Sequence, residues 1–348
     1  MKLGNKRLEV PILQGGMGVG VSMSSLAGHV AKCGAMGVIS SVNIGFREPD
    51  FLTNPKEANL RALREEIKKA KEIAGGVGLV AVNIMTAVSH YAETCMAAVK
   101  AGADAIISGA GLALNLPEFV KGSNTMCAPI VSSRRAAALL LKHYKRHFDY
   151  TPDFIVIEGS EAGGHLGFSP EELLEKTAKP NEEILSEVLE VAGDIPVFVG
   201  GGVFDGADMT RLMKQGASGV QLATRFIATH ECDADIRFKQ AIVDANEEDI
   251  LIIESPVGMP ARAINSPLMK RIKAGEKFRA LTCNGCLSAC KKGDNIPYCI
   301  SRALIEAVKG NWEDGLFFTG SNAPRVKEIL SVSELIGQIL TEYKECMV

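Results

Sequence analysis

Short apolar runs alternate with amphipathic stretches of helical length along the first two-thirds of the chain. This alternation is typical of βα units that build a parallel sheet. The stretch Phe154–Ile157 is apolar at every position, as expected for a strand buried on both faces. Eight such runs predict strands: Val10–Leu13, Gly37–Ser40, Gly78–Ile84, Ala105–Ile107, Pro129–Val131, Phe154–Ile157, Pro196–Val199 and Gly219–Leu222.

Eight βα units favour an α/β fold of the closed (β/α)8 type, the TIM barrel, over an open doubly wound sheet. A dinucleotide-binding Rossmann sheet is the alternative fold. Its glycine fingerprint is missing, because the early run Gly15-Gly16-Met17-Gly18-Val19-Gly20 lacks the required spacing. This run also has no clear acidic residue about 20 positions later. We therefore expect the closed barrel.

The alternation stops after Phe226, and the change of pattern predicts three regions. Residues 1–230 are expected to form the barrel. Residues 231–282 are expected to form a mainly helical cap over its mouth, because helical patterns replace the strand runs there. Residues 283–348 form a third region, a cysteine-rich C-terminal segment that we expect to pack on the barrel.

Composition narrows the class of protein without naming a function. The 348 residues carry a net charge of −3, and 47% of them are hydrophobic, as in ordinary globular proteins. This charge offers no general attraction to nucleic acid. Neither a membrane-spanning apolar run nor a signal peptide is evident, so we expect a cytoplasmic protein. Its expected partner is a small-molecule substrate and its expected oligomeric state a homodimer.

Functional side chains of such a barrel lie where the strands end and the next loops begin. The predicted strand ends carry small residues and amides, with no lysine and no paired His and Asp metal ligands. A Schiff-base aldolase and a metal-dependent hydrolase are therefore disfavoured. Asn83 and Gln221 lie at two of these ends, where each is either a ligand contact or an amide satisfied inside the barrel.

The loops after the seventh and eighth strands are the usual phosphate-binding positions of this fold. They contain Gly200-Gly201-Gly202 and Ala223-Thr224. Small residues leave their backbone N–H groups accessible, and such groups can surround a phosphate. We therefore predict an anion site here. A tight glycine turn without any ligand is the alternative interpretation.

His165 differs from the other five histidines because it lies in a glycine-rich segment between a strand and a loop. Gly163 and Gly164 remove side-chain bulk before it, so that the imidazole can approach a ring or a substrate. A histidine ordinarily titrates near neutrality and suits proton transfer. A loop histidine with only a local hydrogen bond is the structural alternative.

Several motifs occur together in an order that resembles one enzyme family. They are Pro11–Met17, Val82–Met85, Glu158–His165, Gly200–Gly202 and Val220–Phe226, followed by Val257–Arg262. In this combination the chain resembles the nitronate monooxygenase family, formerly called 2-nitropropane dioxygenases. That family also contains the flavin-dependent enoyl-acyl-carrier-protein reductases II.

The resemblance implies a TIM barrel that binds flavin mononucleotide (FMN), with His165 as the catalytic histidine. On this basis we assign flavin contacts to Gly15, Gly16, Met17, Asn83, Glu158, Gly163, Gly164, Gly201, Gly202, Gln221, Ala223 and Thr224. Glu158 distinguishes two branches of the family, because the monooxygenases tend to have glutamine there and the enoyl reductases resemble this chain in having glutamate.

The resemblance implies oxidation of an alkyl nitronate through a one-electron-reduced flavin, with His165 as acid or base. The alternative within the family is an enoyl-thioester reductase, in which reduced FMN gives hydride to the substrate and His165 orients or protonates the thioester. A non-catalytic flavin-binding or metal-binding partner protein is a third hypothesis, which the retention of His165 in an open glycine loop disfavours.

Four cysteines near the end of the chain have a spacing that can enclose a soft metal centre. Cys283, Cys286, Cys290 and Cys299 follow one another at intervals of three, four and nine residues. Zinc and a [4Fe–4S] cluster both accept four thiolates, so the spacing predicts one of these without choosing between them. Buried or disulfide-forming cysteines without metal are the alternative.

Overall fold

The computed structural model describes residues 1–278, 283–288, 290 and 296–347. The strands within these ranges are β1 (Lys2–Leu3), β2 (Lys6–Arg7), β3 (Ile12–Gln14), β4 (Met36–Ser40), β5 (Leu79–Met85), β6 (Ala105–Gly109), β7 (Met126–Val131), β8 (Ile155–Glu158), β9 (Gly164–His165), β10 (Val197–Gly200), β11 (Gly219–Leu222), β12 (Ile250–Glu254) and β13 (Pro260–Ile264). The short β1 and β2 form an antiparallel hairpin.

Helices follow most of the strands, as the alternating pattern predicts. They are α1 (Ser24–Lys32), α2 (Pro55–Ala74), α3 (Tyr91–Lys100), α4 (Leu116–Val120), α5 (Arg134–Phe148), α6 (Pro170–Leu174), α7 (Asn181–Ala192), α8 (Gly206–Lys214), α9 (Thr224–Ile227), α10 (Ile236–Val243), α11 (Pro267–Lys273), α12 (Ile300–Val308) and α13 (Val332–Met347).

Eight parallel strands close into a barrel in the order β10, β11, β3, β4, β5, β6, β7 and β8, and β8 pairs back to β10. The predicted (β/α)8 barrel is therefore confirmed. Each of the predicted strands coincides with one barrel strand, and the ends differ by at most three residues. The apolar runs marked the strands correctly because parallel strands are covered on both faces.

The barrel interior is filled by buried apolar side chains from alternate strand positions. Leu13, Val38, Val156 and Phe198 belong to this inner cluster and are fully buried. Phe198 packs edge-on against Phe154, with the ring centroids 5.6 Å apart. Because the interior is packed, a ligand must bind at the barrel mouth rather than within it.

A separate three-stranded antiparallel sheet has the order β12, β13, β9. In it, Ala261 of β13 lies opposite His165, and Arg262 lies opposite Gly164. The prediction of a mainly helical cap over residues 231–282 needs correction here, because β12 and β13 accompany α10 and α11 in this segment. β12 pairs with β13, and β13 pairs with β9 about 100 residues earlier in the chain, a long-range pairing that local periodicity does not register.

The last part of the chain returns to the barrel mouth. The Gly320 N–H donates to Thr224 Oγ1 over 3.0 Å, which joins it to the loop after β11. Further on, the Glu342 carboxylate in α13 accepts a hydrogen bond of 2.8 Å from the Gly206 N–H at the start of α8. The region boundaries at residues 230 and 282 stay predictions. Within the described ranges, no helix is both long and apolar enough to cross a membrane.

The contact between α1 and β4 gives a test of the barrel packing. A Cβ at Gly37 would overlap the backbone carbonyl of Ala27 in α1. We predict that Gly37→Ala destabilises the protein by about 1–3 kcal/mol, because overpacking forces helix and strand apart. Gly337→Ala in α13 is the matched control, since nothing lies within 4 Å of its added Cβ and alanine favours a helix.

Thermal unfolding measures both variants. The midpoint should fall for Gly37→Ala and should stay unchanged or rise for Gly337→Ala. An unchanged midpoint for Gly37→Ala would contradict the close approach of α1 to β4.

Candidate active site

One cavity of about 420 Å³ opens at the carboxyl ends of the barrel strands, a size typical of cofactor sites. The structure brings together here all thirteen residues predicted for catalysis and flavin contact. They are Gly15, Gly16, Met17, Asn83, Glu158, Gly163, Gly164, His165, Gly201, Gly202, Gln221, Ala223 and Thr224.

His165 is held at this cavity by three kinds of contact. Its backbone pairs with Ala261 in the β9–β13 ladder. Its Nε2 lies 2.8 Å from Ser255 Oγ, within hydrogen-bond distance. Its ring meets Phe318 edge-on, with the centroids 5.3 Å apart. These contacts fix both the position of the imidazole and its orientation.

The imidazole of His165 is uncharged at neutral pH. Burial lowers its pKa to about 4, because the charged form loses its hydration. The sequence-based expectation of a group titrating near neutrality is therefore corrected. At pH 7 this side chain can offer a hydrogen bond, but it is a weak base.

Arg262 fixes the glycine loop that precedes His165. Its side chain is 9% exposed, and Nη1 donates to the carbonyl oxygens of Ser160 and Ala162, over 2.8 and 2.5 Å. Because one guanidinium nitrogen binds two carbonyls of the same loop, the loop is held against β13. Gly163 then passes so close to the Thr319 carbonyl group that a Cβ would overlap it.

Glu158 ends β8 and lines the cavity wall. Within the described residues its carboxyl group makes no hydrogen bond and no ion pair with another side chain. Burial alone raises its pKa to about 7, because the ionised form has no compensating partner. At neutral pH a substantial fraction of this carboxyl is therefore protonated and able to donate a proton.

The predicted phosphate loops contain backbone donors that lack partners. Gly201 and Gly202 have φ values of +84° and +90°, and a Cβ at Gly202 would overlap the Glu161 carboxyl group. In the described part of the chain, the N–H groups of Gly201, Gly202 and Thr224 donate no hydrogen bond. Half-buried amide donors are normally satisfied, so these fit a bound phosphate.

The two amide side chains at the strand ends differ in their contacts. Asn83 Nδ2 donates to the Ile107 carbonyl oxygen over 3.2 Å, so part of its capacity is used inside the barrel. Gln221 makes no side-chain hydrogen bond to another described residue. A flat polar ring such as a flavin would provide partners for Gln221 and for the remaining capacity of Asn83.

Comparison with known proteins places this chain in a family. A family model described as nitronate monooxygenase matches residues 2–342. The chain belongs to the nitronate monooxygenase family. Its enzymes are oxidoreductases, and the predicted family membership is thereby confirmed.

Individual relatives span nearly the whole chain. A probable nitronate monooxygenase of Bacillus subtilis is 26% identical over 96% of this chain and 96% of that protein. The (3aS,4S,5R,7aS)-5-hydroxy-7a-methyl-1-oxo-octahydro-1H-indene-4-carboxyl-CoA dehydrogenase of Mycobacterium tuberculosis is 24% identical over 96% and 93%. The solved structure of FabK from Thermotoga maritima has a TM-score of 0.75 and 26% identity, covering 98% of this chain and 94% of that one.

Several residues in or beside the cavity were not predicted from the sequence. Ser255 and Phe318 contact His165, and Thr319, Gly320 and Asn322 line the cavity from the C-terminal region. One signal in the sequence lay close to Ser255. The motif Val257–Arg262, which belongs to the family resemblance, begins two residues after it. The residues near 320 carried no recognisable pattern.

The cysteine segment lies against the loop that follows β5. The Ser89 N–H donates to the Cys286 carbonyl oxygen over 3.2 Å, and the Ser288 N–H donates to the Ala87 carbonyl oxygen over 3.0 Å. These bonds place Cys286 in the wall of the cavity. The cysteine-bearing segment therefore borders the site itself.

The four cysteines do not form a metal group in the structure. Burial, together with the neighbouring Cys299, Cys290 and Cys283, raises the pKa of the Cys286 thiol to about 11, so the thiols are near one another. Within the described residues, however, no three or more His, Cys, Asp or Glu side chains are arranged to hold a metal ion. The prediction of zinc or a [4Fe–4S] cluster therefore has no support within the described residues.

The raised pKa of Glu158 predicts a pH-dependent stability difference. Its pKa is about 7 in the folded protein and 4.5 by its ordinary value, so folding takes up a proton between these pH values. The wild-type protein therefore loses stability as pH rises through this range. Glu158→Gln cannot ionise, so its stability relative to wild type should rise by up to about 3 kcal/mol from pH 4.5 to 7.5.

Urea unfolding at a series of pH values measures this difference. Glu254→Gln, the same change at the exposed end of β12, is the matched control and should show no such trend. If the stability difference between Glu158→Gln and the wild-type protein does not change with pH, the Glu158 carboxyl group is ionised at no cost in the folded wild-type protein.

Proposed function

We propose that the protein is an FMN-dependent reductase of α,β-unsaturated acyl thioesters. The supporting observation is the charge state of the cavity wall. At neutral pH Glu158 is partly protonated and His165 is uncharged. None of the described residues that line the cavity is a lysine or an arginine. An uncharged enoyl thioester suits such a wall better than an anionic substrate, which would lose hydration without gaining a cation.

FMN would be held by the groups that have no other partner. The N–H groups of Gly201, Gly202 and Thr224 would bind its phosphate, and the Gln221 amide would meet its ring. When bound, FMN supplies the electron pair that reduces a carbon–carbon double bond. The protein would contribute position and a proton.

The proton would come from Glu158. A carboxyl group with a pKa near 7 is well matched to proton donation at neutral pH. The recipient would be the substrate carbon next to the thioester carbonyl, because the electron pair enters at the other end of the double bond. His165 would hydrogen-bond the thioester oxygen, and Met17, Met85 and Met259 in the wall would accommodate the acyl chain.

Two further facts support a thioester. The Mycobacterium tuberculosis relative is named as a carboxyl-CoA dehydrogenase, so that protein acts on a CoA thioester. Glu158 is also the residue in which this chain resembles the enoyl reductases rather than the monooxygenases of the family.

Oxidation of an alkyl nitronate is the second candidate. The family model and the Bacillus subtilis relative, a probable nitronate monooxygenase, favour it. In that reaction His165 would take a proton from a neutral nitroalkane. A pKa near 4 makes His165 a weak base for this task, and an anionic nitronate would meet a wall without lysine or arginine among the described residues.

Anaerobic stopped-flow spectroscopy of the flavin-loaded protein separates the two candidates. We expect NAD(P)H, or dithionite if the donor differs, to bleach the flavin, and an enoyl-CoA to restore its colour. The restoring step should slow as pH rises through about 7, because protonated Glu158 is the donor. Glu158→Gln should slow this step at least about a hundredfold, the lower end of the range expected for loss of a general acid.

The control is Glu254→Gln, which should behave as wild type. Bleaching by a nitronate, with no response of the reduced flavin to any enoyl-CoA, would replace the proposal with the monooxygenase. A purified protein that takes up no FMN would overturn both candidates.

A further inference from the structure

Ser255 contacts His165 from outside the barrel and is itself held rigidly. It is 2% exposed and lies where β12 enters the turn to β13. Its N–H donates to the Met259 carbonyl oxygen over 3.0 Å, and its carbonyl oxygen accepts from the Gly258 N–H over 2.9 Å. The hydroxyl therefore reaches His165 from a closed hairpin turn rather than from a free loop.

The hydrogen bond between the two side chains has a definite direction. Ser255 Oγ already faces one donor, the Val257 N–H, at a long 3.5 Å. Within the described residues the one acceptor in hydrogen-bond reach of the hydroxyl proton is His165 Nε2, at 2.8 Å. A buried hydroxyl without an acceptor would cost about 1–3 kcal/mol. The hydroxyl therefore donates to Nε2, which leaves the single proton of the neutral imidazole on Nδ1.

The other nitrogen of the ring is available to a ligand. His165 lines the cavity, and Nδ1 makes no hydrogen bond to any other described residue. The edge-on contact with Phe318 hinders a rotation of the ring that would exchange the two nitrogens. The Nδ1–H group is thus a donor at the cavity that no described residue accepts from, so water or a ligand in the cavity can meet it, whereas the 2% exposed Ser255 is shielded from both.

We propose that Ser255 is a positioning residue that holds His165 in the Nδ1-protonated tautomer, so that the imidazole presents a hydrogen-bond donor to the cavity. The tautomer follows from the contacts of Ser255 and does not depend on the reaction. That the donor meets a thioester oxygen rests on the proposed function. An oxygen acceptor is the ligand chemistry that this arrangement selects, whereas the opposite tautomer would present a bare acceptor nitrogen.

Long-range ¹H–¹⁵N NMR of protein labelled with ¹⁵N-histidine reads the tautomer directly. His165→Gln assigns the signal by its loss. At pH 7 we expect wild-type His165 to show a protonated Nδ1 and an unprotonated Nε2. Ser255→Ala should shift the equilibrium toward the Nε2-protonated form, and Ser255→Thr should restore the wild-type pattern because it keeps the hydroxyl. A protonated Nε2 in the wild-type protein would overturn the proposal whether or not either variant folds.

Kinetics of the same variants separate this proposal from the proposed function. Ser255→Ala should slow flavin reoxidation by an enoyl-CoA about tenfold, the equivalent of one lost hydrogen bond, and leave flavin reduction unchanged. If Ser255→Thr recovers the wild-type rate of flavin reoxidation, the slow rate of Ser255→Ala is due to the lost hydroxyl group and not to a structural change. If enoyl-CoA does not react although His165 has the expected tautomer, the proposed thioester substrate is wrong and the positioning role of Ser255 still holds. An unchanged tautomer in folded Ser255→Ala would reject that role.

Discussion

The site depends on the two hydrogen bonds by which buried Arg262 holds the carbonyl groups of Ser160 and Ala162. Without them the glycine loop would have no fixed position, because glycine restrains its own backbone less than any other residue. With them, the loop adds β9 to the β12–β13 hairpin and carries His165 to the cavity. Desolvation of Arg262 is offset by these bonds and by the nearby Glu161 carboxyl group.

The same arrangement explains why two titratable groups in the cavity wall are shifted toward their neutral forms. Burial that secures the loop also removes water from His165 and Glu158, and it shifts the pKa of each toward the neutral form. The backbone amides after β10 and β11 then become the main electropositive groups of the mouth. A cofactor phosphate suits these amides, and an uncharged reacting group suits the part of the wall that His165 and Glu158 line.

The eight barrel strands were predictable because the information was local, and thirteen of the cavity residues were predictable from their motifs and the family that these motifs resemble. Runs such as Phe154–Ile157 identify buried strands, and the topology of a TIM barrel brings strand ends together whatever lies between them. Ser255 was not predictable from its neighbours, because its role depends on the pairing of β13 with β9 about 100 residues earlier. The pKa values of His165 and Glu158 also depend on burial by distant segments. The cysteine spacing was clear in the sequence, yet spacing alone does not fix the geometry of a metal site.

The proposed function requires that this cavity binds FMN with its phosphate on the loops after β10 and β11. A crystal structure of the protein grown with FMN tests it most directly. We expect one flavin, with its phosphate within hydrogen-bond distance of the N–H groups of Gly201, Gly202 and Thr224 and its ring beside His165. A flavin bound elsewhere, or a well-ordered cavity that stays free of flavin at saturating FMN, would contradict it.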